Sequence, residues 1–166
     1  MNKQSYNVLF LCTGNSARSI FGEALLNHRG EGRFRAYSAG SHPAGQVNPM
    51  ALNVLEQLDI PTEGLRSKSW DEFIEPGAPV MDFVFTVCDK AATETCPVWP
   101  GRPVSAHWGI PDPAAVEGDE ATRLRAFRQA LHAMDNRIRL FLSLSLERLA
   151  EKSLKEELQR IGEASA

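Results

Sequence analysis

The apolar run NVLFL at positions 7–11 leads straight into CTGNSARS at positions 12–19. So short and so nearly unbroken an apolar run suits a strand buried on both faces, as in a parallel sheet. Ile20, Phe21, Ala24 and Leu25 follow at helical spacing, and Gly30 is placed to stop that helix. The opening of the chain therefore reads as strand, tight loop, helix. A strand hidden on both faces needs parallel neighbours and helices to cover it.

The rest of the chain supplies them. Residues 33–39, RFRAYSA, alternate and read as a second strand closed by Gly40. Asn48-Pro49 opens a helix, with Pro in its first turn and Ala51, Leu52, Val54, Leu55 and Leu58 as its apolar positions. A short helical piece is expected at 70–74, a third buried strand at 81–87 and a short fourth at 102–106. A long helix is predicted from about 119 to 149, with Leu124, Phe127, Leu131, Met134, Ile138, Phe141 and Leu142 as its stripe. Ser153 and Glu156 form a capping-box pattern for a last helix carrying Leu154, Leu158 and Ile161. The expectation is an α/β fold: a three-layer, doubly wound sheet of four parallel strands with an extra C-terminal helix. One domain is expected over residues 1–150, with 151–166 as its helical extension. In such sheets ligands bind at the carboxyl ends of the strands, where Cys12, Cys88 and the loop after the last strand all fall.

Composition narrows the function. A net charge of −3 creates no basic field for nucleic acid. No apolar run is long enough to span a membrane, and MNKQSYN lacks the apolar stretch of a signal peptide, so a cytoplasmic protein is expected. Three cysteines in a reducing compartment do not make a disulfide framework. Cys88 and Cys96 are too far apart for a zinc pair, so no tightly bound cofactor is expected.

The loop itself has a chemistry. Gly14 and Asn15 tolerate the backbone angles of a tight turn, and Ser16 or a neighbour is placed to cap the next helix. Successive N–H groups of Thr13, Gly14, Asn15, Ser16 and Ala17 then converge at the positive end of a helix, a cradle for a tetrahedral oxyanion. The Arg18 guanidinium is spaced to grip two anion oxygens. The same field should lower the Cys12 pKa below the usual value of about 8.5. A thiolate beneath a bound oxyanion can attack its central atom. A lone strand-end cysteine is more often a packing residue, but this one arrives with Gly, Asn, Arg and Ser together.

Cys-x5-Arg-Ser after an N-terminal strand resembles the low-molecular-weight tyrosine phosphatase fold, which includes both phosphatases and a group of arsenate reductases. YSAG at 37–40, VNPMA at 47–51, the Cys88/Cys96 segment and HWGIPDP at 107–113 extend the resemblance, which runs from about residue 7 to 134. It implies Cys12 as nucleophile, Arg18 as oxyanion clamp, Ser19 as hydrogen-bond donor to the Cys12 thiolate, and Asp112 as the acid that protonates the departing oxygen. Two features separate the subgroups. Phosphatases of this kind carry aromatic residues beside the Asp-Pro, whereas Ala114, Ala115 and Val116 follow Pro113 here. Cys88 adds the second thiol that a reduction needs, and Cys96 a third that could carry the disulfide outward.

The resemblance thus implies reduction of arsenate to arsenite through a Cys12/Cys88/Cys96 disulfide relay. Thioredoxin is the reductant it implies, with glutaredoxin and glutathione fitting if Cys96 is idle. Phosphate or sulfate would mimic the substrate. The alternatives are a phosphatase working through phospho-Cys12 and a non-catalytic oxyanion sensor. Relatives with a further cysteine in the loop have it where Ala17 stands. A potassium ion bound in some relatives would fall at Asn15, Glu23 and Ser38, with a last ligand from near Ser69–Asp71.

Overall fold

A computed structural model describes residues 5–89 and 97–163. Four strands, β1 (Tyr6–Cys12), β2 (Phe34–Gly40), β3 (Phe83–Thr86) and β4 (Val104–His107), form one parallel sheet in the order β2-β1-β3-β4. Helices α1 (Arg18–Arg29), α2 (Pro49–Gln57), α3 (Glu120–Leu142) and α4 (Glu151–Gly162) alternate with or follow the strands. The chain leaves β1 for one side of the sheet and returns on the other, so the ends of β1 and β3 flank a topological switch point.

Period-two alternation divides the core. Tyr6, Val8, Phe10 and Cys12 join the large cluster that includes residues of all four helices, while Leu9 and Leu11 face a smaller one. The large cluster is rich in aromatic rings: Phe85 stacks on Trp108 at 3.8 Å between centroids, and Phe141 lies edge-on to both. On the other face the third layer is thin. Phe73, in the 3₁₀ turn Trp70–Phe73, packs with Leu9, Leu11, Ala39, Met81 and Val84, flanked by Tyr37, Trp70 and Trp99.

Two expected boundaries move. α3 stops at Leu142 rather than near 149, because the Ser143 hydroxyl donates to the Leu140 carbonyl (2.6 Å) and competes with the helical ladder. The chain then bends and buries Leu146 completely. The second concerns the capping box at Ser153. α4 starts at Glu151 with Ala150 as its unassisted cap, and Ser153 lies inside the helix. Its position is set by packing instead: Leu154 and Leu158 are fully buried, and the Leu158 carbonyl accepts from Trp108 Nε1 at 2.9 Å. At Gly162 a Cβ would stand 2.2 Å from the His107 carbonyl oxygen, so α4 seats against β4 only with glycine there. Among the described residues no helix is long and apolar enough to cross a membrane.

Candidate active site

The register of the central strands builds the site. Leu11 of β1 lies opposite Thr86 of β3, and Val87 N donates to the Leu11 carbonyl (2.8 Å). Cys88, one residue further, is thereby set beside Cys12 at the end of β1. Neither sulfur is in a disulfide; both thiols line the same cavity, and Thr13 Oγ1 lies 3.6 Å from Cys88 Sγ. Gly40, opposite Cys12 on β2, allows the loop to pass, since a Cβ there would meet the Thr13 carbonyl at 2.4 Å.

The loop's carbonyls are held away from the site. Thr13 O accepts from His42 N, Gly14 O from Ala44 N and Ser16 O from Asn48 N, each at 2.9 Å. In a planar trans peptide the following N–H points the opposite way, so the N–H groups of Gly14, Asn15 and Ala17 turn towards the inside. Asn15 takes the left-handed conformation that closes the turn, with φ 47°. Ser16 does not cap α1. Ala17 holds the cap position with no side-chain bond, leaving the first turn's donors to face an anion.

A cavity of about 780 Å³ opens above this loop, lined by Cys12, Thr13, Gly14, Ser16, Ala17, Arg18, Cys88 and, on its far side, Gly109 to Asp112 and Ala114. Arg18 spans it. Its Nη1 donates to the Ile110 carbonyl (3.0 Å), and its Nη2 lies 3.7 Å from Asp112 Oδ2. Asp112 Oδ1 also accepts from Ala114 N (3.0 Å), which caps the 3₁₀ turn Pro113–Ala115 and aims the carboxylate at the cavity mouth. None of these lining residues is aromatic.

The Cys12 thiol is pushed up from its ordinary value, not down as the loop's positive field led us to expect. The hydrogen bond with Cys88 is the first cause and burial the second; Arg18 and the Gly14 N–H act the other way. The field is present, but a second thiol brought in by β3 outweighs it.

The structure thus gathers Cys12, Thr13, Gly14, Ser16, Ala17, Arg18, Cys88 and Asp112 around one cavity, while Asn15 of the same loop is fully buried behind it. Ser19 lies fully buried beneath it, where its Oγ accepts from Asn15 Nδ2 at 2.8 Å. Cys96 lies outside the described residues. Residues 7–160 match the family model for low molecular weight phosphotyrosine protein phosphatase. The chain belongs to that family.

Within this phosphatase family, curated relatives that it resembles include arsenate reductases. That of Halalkalibacterium halodurans is 34% identical over 141 residues, spanning 85% of this chain and 96% of the relative. That of Bacillus subtilis is 33% identical, spanning 81% and 93%. Among solved structures, the Archaeoglobus fulgidus arsenate reductase superposes with a TM-score of 0.64 at 28% identity, covering 82% of this chain and 99% of that one. The Corynebacterium glutamicum thioredoxin-dependent arsenate reductase gives 0.65 at 25%, covering 89% and 66%.

Three features of this family member were not read from its sequence. Arg137 of α3, buried and with its pKa lowered by that burial, donates from Nη1 to the carbonyls of Trp108 (3.0 Å) and Gly109 (2.8 Å). It fixes the strand-to-loop corner that leads to Asp112. His107 bridges β3 and the residue after Cys88, with Nδ1 on Thr86 Oγ1 and Nε2 on Asp89 Oδ1, both 2.8 Å. The third is Lys68, which looks like a surface lysine between two serines. Its ammonium donates to Ser38 O (2.8 Å) and stands 3.6 Å from Glu23 Oε1.

That placement decides whether a potassium ion fits Asn15, Glu23 and Ser38. Asn15 Oδ1 already accepts from Lys68 N (2.8 Å), and Ser38 O and Glu23 already face the ammonium. A second cation about 4 Å from that charge would meet a repulsion on the order of 4 kcal/mol at an effective dielectric near 20. These residues do not fit a potassium ion while Lys68 is present. Among the described residues, no group of three or more His, Cys, Asp or Glu side chains is arranged to hold a metal.

Proposed function

We propose that this protein reduces arsenate to arsenite. One observation carries the reading: a second thiol, Cys88, lines the same cavity as Cys12, together with an Arg18 clamp and an Asp112 carboxyl. Phosphate-ester hydrolysis needs only one thiol; reduction needs two. The arsenate-reductase relatives and the absence of aromatic residues from the cavity lining support the same reading.

The inward N–H groups and Arg18 hold the arsenate oxygens. Cys12 gives its proton to an oxygen of the bound arsenate and, as a thiolate steadied by the Ser19 hydroxyl, attacks arsenic. Asp112 protonates the departing oxygen, which leaves as water. The Cys88 thiolate then attacks Cys12 Sγ. The electron pair of the sulfur–arsenic bond goes to arsenic, arsenite departs, and a Cys12–Cys88 disulfide remains. In sum, arsenate and two thiols give arsenite, water and a disulfide. Cys96 attacks Cys88, frees Cys12 and passes the disulfide to Cys88–Cys96. An external dithiol of the thioredoxin class restores the enzyme.

The test is arsenate turnover with thioredoxin and its reductase against glutathione and glutaredoxin, for wild type, Cys88→Ala and Cys96→Ser. We expect thioredoxin-supported turnover in wild type and none beyond a single event in either variant. Full turnover by Cys88→Ala with no added small thiol would overturn the relay. Phosphate release from an aryl phosphate, with no arsenite formed from arsenate, would favour the phosphatase instead.

A further inference from the structure

We propose that Lys68 is a built-in cation that locks the Cys12 loop, making the fold independent of any bound monovalent ion. The proposal rests on the fold and the loop, not on the reduction chemistry.

The Lys68 ammonium sits in a cage of oxygens contributed by α1 and β2. It is 2.8 Å from Ser38 O, 3.5 Å from Ser38 Oγ and 3.6 Å from Glu23 Oε1. Lys68 is only 8% exposed. Burial lowers its pKa, while the Glu23 carboxylate pushes it back up. The nearby Arg66 is bonded to Glu72 through Nη1 and Nη2 (3.0 and 2.6 Å), which leaves Lys68 as the cation within 4 Å of Glu23 among the described residues.

The cage is wired to the loop. Ser38 Oγ donates to Glu23 Oε1 (2.6 Å) and accepts from Asn15 Nδ2 (2.9 Å); the same Nδ2 donates to Ser19 Oγ (2.8 Å). Asn15 Oδ1 accepts from Lys68 N (2.8 Å), and Lys68 O accepts from Gly40 N (2.9 Å). The ammonium thus faces Glu23 and Ser38 together. Glu23 fixes the Ser38 hydroxyl as a donor to it, and Ser38 then fixes which way the Asn15 amide points. Asn15 is the residue whose left-handed backbone closes the anion loop. Lys68 is a positioning residue that acts through Asn15, without touching the substrate.

A cation is required here because Glu23 and two Ser38 oxygens converge on one point. A tethered ammonium supplies it at no cost in ion-binding entropy and at any salt composition. Removing the side chain should leave a site that a free ion can fill.

The experiment measures melting temperature and sulfate affinity in potassium, ammonium and choline chlorides at one ionic strength. Wild type should be indifferent to the cation. Lys68→Ala should melt lower and bind sulfate about tenfold more weakly in choline. Potassium or ammonium should restore both saturably. Lys68→Met, which fills the space with methylene groups and sulfur, should be weakened and not restored. A saturable potassium effect on wild type would overturn the proposal, as would a folded Lys68→Ala that gains nothing from either ion. If Lys68→Ala does not fold, the pair decides: Glu23→Gln should make Lys68→Met more stable, and strict additivity of the two changes would sink the idea. Sulfate binding and melting need no arsenate turnover, so failure here leaves the reductase reading to its own test.

Discussion

At Cys12 two influences oppose each other. Arg18 and the Gly14 N–H favour the thiolate, and the Cys88 thiol and burial favour the thiol more strongly. A Cys12 held as a thiol in the resting state fits the proposed relay, in which the second sulfur must already be close. Removing Cys88 removes the first cause of the upward shift. Cys88→Ala should therefore move the pH profile of Cys12 alkylation to lower pH, read by iodoacetamide labelling rates and mass spectrometry. An unchanged profile would show that burial alone holds the thiol up.

Among the elements, the loop at residues 108–112 and α4 depend on contacts outside the cavity lining. The carbonyls of Trp108 and Gly109 are tied to Arg137. Arg137→Met keeps the volume and removes two charge-assisted bonds, each worth roughly 1.5–3 kcal/mol. Hydrogen exchange at residues 108–112 should speed up and turnover should fall, while the sheet amides stay protected. Uniform loss of protection would mean that Arg137 serves the whole core instead. The α4 seat is tested by Gly162→Ala, whose Cβ would press on the His107 carbonyl. Overpacking of this kind costs about 1–3 kcal/mol, measurable as a lower urea midpoint.

For the molecule as a whole, the same thiol sets a pH limit. Cys12 has a raised pKa in the fold, so above about pH 8.5 the unfolded chain loses a proton that the folded chain keeps. Stability should then fall as pH rises, by about 1.4 kcal/mol per unit from this group, with the contribution intact below that range. The buried Lys68 works in the other direction on the acid side of its unfolded pKa of about 10.4, because its lowered pKa lets the folded state release a proton first. Comparing urea unfolding of wild type and Cys12→Ala at pH 8 and pH 10 isolates the cysteine. A variant that loses as much stability as wild type over that range would refute the assignment.

Strand and helix positions were legible because periodicity is local. An apolar run, an Asn-Pro start, or the Gly-Asn turn beside Cys12 states its own conformation within a few residues, and Asn48 caps α2 as its place before Pro49 predicts. The tight loop after Cys12 and the place of Arg18 on it were legible for the same reason; Asp112 was singled out only by the family resemblance, since an Asp-Pro by itself reads as a turn. What local pattern does not encode is the partner across the fold. Asn15 and Lys68 meet over 53 residues of chain, Thr13 and Cys88 over 75, and Arg137 reaches a loop 28 residues before it. Periodicity tells which side of an element is buried, not which charge or thiol it is buried against. The chain alone therefore specified a thiol in an anion loop. Only the packing of β3 against β1, and of residues 66–69 against β2, decided that this thiol is held protonated and that a lysine holds its loop.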